Sequence, residues 1–426
     1  MDKGKGSLMM KELVPGVQVH YLPTEKFKTI QMAVQIKMPL EYEKVTARSL
    51  LGRLLVTNTA KYATQTAFRK KLAELYGAQL TSHLLRKGNA QILSIHLSMV
   101  NDHFVASDHL FEEAMSFLRE VLFAPNITAG YFDRKTFIRE RENLREEFLS
   151  LSDYKSEYAH QQLNQIYFDE PAQQMAVNGR LEDLEKLTPK SLVSTYEEVL
   201  NESQIDILVV GKVNQERLFK ACAAFPFKER TVTTVPLIYH QPLHEQMIHD
   251  EEVQTVKQAK LNIACAAPIA PYAEDYEALQ VFNGLFGGFP HSKLFMEIRE
   301  KHSLAYSIFS QFDSYRQVLY IQAGIDSAQA ARVESLVGQQ LDAVKQGDFT
   351  EKQFQQTQTM LIQMIKQLSD YPATMLGRYY ESLLTGADLS LDQWTARIEA
   401  VTPAQVKRVA QCITPQASFV LKGDKE

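Results

Sequence analysis

The chain is written twice, and this duplication constrains the fold more than any other feature. "LSLSDYKSEYAHQQLNQIYF", from residue 149, returns half a chain later as "KQLSDYPATMLGRYYESLLTG", from residue 366. "LEKLTPKSLVSTYEEVL" (184–200) returns as "IEAVTPAQVKRVAQCI" (398–413), and each runs on into a short apolar strand, "IDILVVGKV" or "ASFVLKGD". Upstream, "TIQMAVQIK" (29–37) matches "AKLNIACAA" (259–267), and "AQILSIHLSM" (90–99) matches "QVLYIQAGI" (317–325). Alternating strand patterns and amphipathic helix patterns succeed one another in the same order in both halves. Thr188-Pro189 and Thr402-Pro403 read as helix starts, because proline is tolerated at the first helical position. Two α+β domains of one fold follow, at 1–227 and 247–426, joined by a linker at 228–246 that is rich in Pro, Thr and His.

Composition narrows the function classes. With 46 Lys and Arg against 51 Asp and Glu, the formal net charge is −5, a poor balance for sequence-independent nucleic-acid binding. No apolar run is long enough to predict a membrane span, and the first residues lack the pattern of a secretory signal. A cytoplasmic location is expected. Cys222, Cys265 and Cys412 lie far apart, with no CxxC pair, and read as buried reduced thiols.

The densest signal is "NGLFGGFPHSKLFMEIREKHSLAYSIFSQFDS" (283–314). Gly287-Gly288 predicts a turn with positive φ. Ser292 can cap the helix that follows, and Leu304, Tyr306 and Ile308 alternate as in a strand. This run resembles the second-half signature of the insulinase/pitrilysin metallopeptidases, the inverzincins with an inverted H-x-x-E-H zinc motif. The resemblance extends from about residue 20 to 424 and includes the duplication. It implies two domains, each an antiparallel-rich sheet covered by helices on one face, closing as a clamshell. It also implies that Arg299 and Tyr306 hold substrate, as donors for a peptide carbonyl and its oxyanion. Read without it, the same residues suit a salt-bridged helix end and a half-buried strand tyrosine.

In that family the zinc motif sits on the first long helix. Here it falls on Ser49-Leu50-Leu51-Gly52-Arg53, so Ser49, Gly52 and Arg53 replace both histidines and the glutamate. Zinc needs imidazole, thiolate or carboxylate lone pairs; an arginine offers only donors and repels the metal. Glu140 and Glu147 match the family's later glutamate pair, Glu147 at the third-ligand position, and are expected to be vestigial or structural. His240 and His244 have helical ligand spacing but lie in the linker beside Pro242, which argues against a metal site there.

The combination resembles the catalytically silent subunit of two-chain members of the family. The bacterial YmfF group, associated with the 5-aminopentanol modification of elongation factor P, has this character. The resemblance therefore implies no metal on this chain and a heterodimer with a zinc-bearing paralogous subunit. The pair would cut small unfolded peptides. A non-enzymatic scaffold and a peptide-binding protein of the same fold are the alternatives. No G-x-S-x-G elbow supports a separate nucleophile.

Overall fold

Sheet topology repeats as the sequence does. The computed structural model describes residues 9–387 and 390–424. The strands of the first sheet are β1 (Met9–Val14), β2 (Val17–Pro23), β3 (Thr29–Pro39), β4 (Gln79–Lys87), β5 (Ala90–Val100) and β8 (Gln204–Gly211), in the order β1-β2-β8-β3-β5-β4. A two-stranded pair, β6 (Ile127–Thr128) and β7 (Tyr131–Phe132), stands apart from it. The second sheet comprises β9 (Ile248–Gln254), β10 (Ala259–Ala266), β11 (Ala305–Asp313), β12 (Val318–Ile325) and β13 (Thr414–Gly423), in the order β11-β12-β10-β13-β9. In each sheet one pair is parallel, β2 with β8 and β9 with β13, and every other pairing is antiparallel. Strand for strand the second sheet is the first without β1.

Contacts divide the chain into two compact units, and neither is one continuous segment. The first comprises residues 1–149, 177–236 and 371–380; the second comprises 150–176, 237–370 and 381–426. The segments that change unit begin at or beside the repeated Ser-Asp-Tyr motif of each half.

Alternation explains the cores. In the first unit, Ile30, Met32, Val34 and Ile36 of β3 and Leu93, Ile95 and Leu97 of β5 face one cluster, which the helices cover. Helix α1 (Val45–Leu55) adds Leu50, Leu51, Leu54 and Leu55, all buried. Further helices follow: α2 (Gln65–Glu74), α3 (Leu110–Phe123) and α4 (Arg134–Ser150). The opposite face of this sheet is mixed, with Ala33, Leu208 and Val210 buried among polar groups. His20, Gln35, Ser94 and Asp206 are buried there, and His20 Nε2 lies 3.0 Å from Asp206 Oδ1 and its Nδ1 3.1 Å from the Tyr379 hydroxyl.

In the second unit, Leu261, Ile263, Leu319 and Ile321 face the main cluster. The opposite face is apolar and is covered as well: helix α5 (Lys155–Tyr167) packs Ala159, Leu163 and Tyr167 on Ala264, Tyr320, Ala417 and Phe419. Thr402 starts the helix Pro403–Cys412 with reciprocal bonds to Gln405. Thr188 exchanges the same kind of bonds with Ser191. No helix among the described residues is long and apolar enough to cross a membrane.

Two expectations need correction. Gly287 and Gly288 form no positive-φ turn; they lie in a π-helical segment, Gly284–Gly288. Close packing explains the glycine at 287, where a Cβ would sit 2.6 Å from Ser310 Oγ. Cys222 and Cys265 are buried, but Cys412 is exposed at the last turn of its helix; all three are free.

Candidate functional site

Three helices and the edge strand β4 of the first unit surround a cleft of about 540 Å³. Ser49, Gly52 and Arg53 enter it from α1, Gln65 and Arg69 from α2, Thr81, Ser82 and His83 from β4, and Glu140 and Asn143 from α4. Ser49, Gly52, Arg53 and Glu140 therefore line one place. Asn178, far away in sequence, also lines it.

Gly52 is explained by packing. A Cβ there would come within 2.7 Å of Leu93 Cδ1, and Ser82 Oγ donates to the Gly52 carbonyl at 2.8 Å, so α1 rides close on the sheet. Arg53 turns outward, one step from the buried Leu54. Its Nη2 donates to Glu147 Oε2 at 2.5 Å, and Asn178 Nδ2 donates to Glu147 Oε1 at 2.8 Å. Both oxygens of Glu147 are thus taken. Glu140 is buried and accepts from Arg139 Nε at 2.9 Å and Asn143 Nδ2 at 3.2 Å.

This set does not fit zinc. The carboxylate expected at the third-ligand position, Glu147, already holds a guanidinium, an imidazole is missing at both expected motif positions, and Gly52 has no side chain to act as a base. No group of three or more metal-ligating side chains is gathered among the described residues. A positive charge still stands beside Glu147, but a fixed one, which cross-links α1 to α4 instead of polarising water. His240 and His244 bond elsewhere, to Gln317 Oε1 at 2.7 Å and to the Tyr167 carbonyl at 2.9 Å.

Arg299 and Tyr306 belong to the second unit. Arg299 lies in a π-helical turn, Phe295–Lys301, half-exposed, with its guanidinium 4.6 Å from the Phe295 ring centroid and 3.8 Å from Glu300. Tyr306 is 72% exposed on β11. Strict alternation would place it on the buried face with Ile308. Register explains the difference: Ala305 pairs with Ile325 and Ser307 with Gly324, leaving Tyr306 as the extra residue of a bulge. A bulge re-aims one side chain without breaking the strand. No hydrogen bond joins Arg299 to Tyr306 among the described residues.

Sequence reasoning missed Arg69, Asn143 and Asn178. Arg69 and Asn143 sit on the polar faces of ordinary amphipathic helices, and Asn178 follows an irregular segment, so none carried a local signal.

Comparison with known proteins accords with this geometry. A family model, peptidase M16 inactive domain, matches residues 186–361. The probable inactive metalloprotease YmfF of Bacillus subtilis is 30% identical over 411 residues, 96% of each chain. A conserved protein of Enterococcus faecalis with a crystal structure is 37% identical, with a TM-score of 0.95 over 98% of this chain and 99% of that one. A peptidase M16 inactive domain from Pseudomonas fluorescens, 15% identical, shares the fold, with a TM-score of 0.81 over 98% of both chains. A chain 30% identical to a probable inactive metalloprotease over nearly the whole length of both belongs to the M16 metallopeptidase family as one of its inactive members.

Proposed function

We propose that this chain is the non-catalytic subunit of a heterodimeric zinc peptidase that processes small unfolded peptides. A zinc-bearing paralogous partner supplies the metal, its ligands and the general base. This chain supplies part of the chamber wall and two clamp residues, Arg299 and Tyr306. One contrast supports the reading: the metal position is closed by the Arg53–Glu147 pair, while a bulge turns Tyr306 outward on a strand next to the turn that carries Arg299. A phenol and a guanidinium left exposed in this way can donate to a peptide carbonyl and to the charge that develops on it.

The test is co-purification from the native host with metal analysis. One zinc per pair, in a complex with a relative carrying H-x-x-E-H, is expected; a chain that recovers no such relative defeats the proposal. In the complex, Tyr306→Phe and Arg299→Gln should each lower turnover about 100- to 1000-fold, the range for loss of one oxyanion donor, without dissociating the subunits. Unchanged turnover in both removes the clamp role. The association of the YmfF group with elongation factor P adds a readout: the mass of that factor isolated with and without this chain.

A second reading is a peptide-binding protein of the same fold. The open cleft beside β4 favours it.

A further inference from the structure

The cleft of the first unit has its carboxylates paired and guanidinium donors left over. Both carboxylates near it are already answered, Glu147 by Arg53 and Asn178, Glu140 by Arg139 and Asn143. Arg69 lines the same cleft and has neither an ion pair nor a hydrogen bond among the described residues. Arg53 uses only Nη2 on Glu147, and its Nε and Nη1 have no hydrogen-bond partner among those residues. Gln65, Thr81, Ser82 and His83 complete a polar wall. A site that in the zinc enzymes gathers acceptors around a cation here presents guanidinium donors to the space between them.

The second unit serves as an internal control. Its helix Glu351–Gln367 matches α4 on the Ser-Asp-Tyr repeat, so that Thr357 falls where Glu140 does. Thr357 is fully buried and bonded to His291 Nε2 at 2.7 Å, and Ser310 of β11 donates to Asn283 at 2.7 Å. There the residues corresponding to the cleft are packed against one another. In the first unit the space remains open although its metal chemistry is gone.

We infer that this cleft binds a carboxylate, and specifically the C-terminal carboxylate of a peptide, held by Arg69 with the free donors of Arg53. A planar guanidinium matches a carboxylate with two parallel bonds. The peptide source is favoured because the cleft runs along Leu80–Leu84 of an edge strand, where an extended chain can use backbone groups that no neighbouring strand takes. About 540 Å³ accommodates the last few residues of a chain. The site belongs to this chain alone and stands whether or not the subunit reading holds.

The experiment is calorimetric titration of the full-length chain, without partner, with N-acetyl-trialanine and with its C-terminal amide. The free acid should bind about tenfold more tightly than the amide, in line with one charged hydrogen-bonded contact. Arg69→Gln, at an exposed position, should keep the melting temperature and abolish the preference, and Arg69→Lys should restore part of it. Equal binding of acid and amide, binding of neither, or a preference that survives Arg69→Gln overturns the proposal. Inorganic phosphate that competes at the same concentration as the free acid overturns the peptide source. Because no partner is present, these outcomes are separable from failure of the co-purification.

Discussion

Gly52 shows how one residue can be absent from the chemistry and still be required. The general base of an active relative would need a side chain there, yet α1 approaches β5 so closely that a Cβ meets Leu93 at 2.7 Å. Gly52→Ala should cost about 1–3 kcal/mol by overpacking, read from thermal or denaturant unfolding. Restoring H-x-x-E-H therefore requires the Leu93 side chain to give way as well as the three motif changes. A second residue sets a pH dependence. His96 is bonded to Ser94 Oγ at 2.7 Å, and burial, then the nearby His83, holds its pKa below the ordinary 6.5. The folded state therefore binds a proton less readily than the unfolded one. Its contribution is present above pH 6.5 and is lost as the pH falls from there through the lowered value. His96→Gln should flatten the fall of melting temperature with acidification in that window; an unchanged slope would assign the acid sensitivity elsewhere.

At the level of elements, the repeat was readable because strands and helix starts obey local rules. β3 and β10, β5 and β12, and β8 and β13 fall where alternation put them; Thr402 caps a helix that starts on Pro403, whereas the helix after Thr188 starts two residues past its proline, at Ser191. Thr402→Ala should cost about 1 kcal/mol of stability, since both reciprocal bonds to Gln405 depend on that residue's position and one on its hydroxyl. Tyr306 was legible as a strand residue but not in its direction, because a bulge reverses the parity of everything on one side of it. The π-helical turns at Gly284–Gly288 and Phe295–Lys301 were invisible for a similar reason: widening a turn is set by packing, as at Gly287 on Ser310, and leaves no periodic trace. The loss of the zinc motif could be read directly, but the ion pair that replaces it could not. Arg53 and Glu147 are on different helices, and only the fold brings them together.

For the whole molecule, the two units do not coincide with two lengths of chain. Residues 150–176 belong to the second unit, and 371–380 to the first. Fragments 1–227 and 247–426, expressed separately, should each lack a covering segment and fail to give a cooperative thermal transition; co-expressed, they should recover one. Two fragments that each unfold cooperatively at the temperature of the full chain would show that the exchanged segments contribute little.

That exchange also sets an order of assembly on the ribosome. Helix α5 emerges before the strands it covers, and its contact with them is apolar: Leu163 and Tyr167 against Ala264 and Phe419. The segment 371–380 emerges more than a hundred residues after the last long segment of its own unit, on the order of 10 s later at ~5–20 residues per second. The sheet face that waits for it carries His20, Gln35, Ser94 and Asp206, groups that water can satisfy until Tyr379 reaches His20. The apolar sheet face meets a helix already made, whereas the face that waits for 371–380 mixes these polar groups with Ala33, Leu208 and Val210.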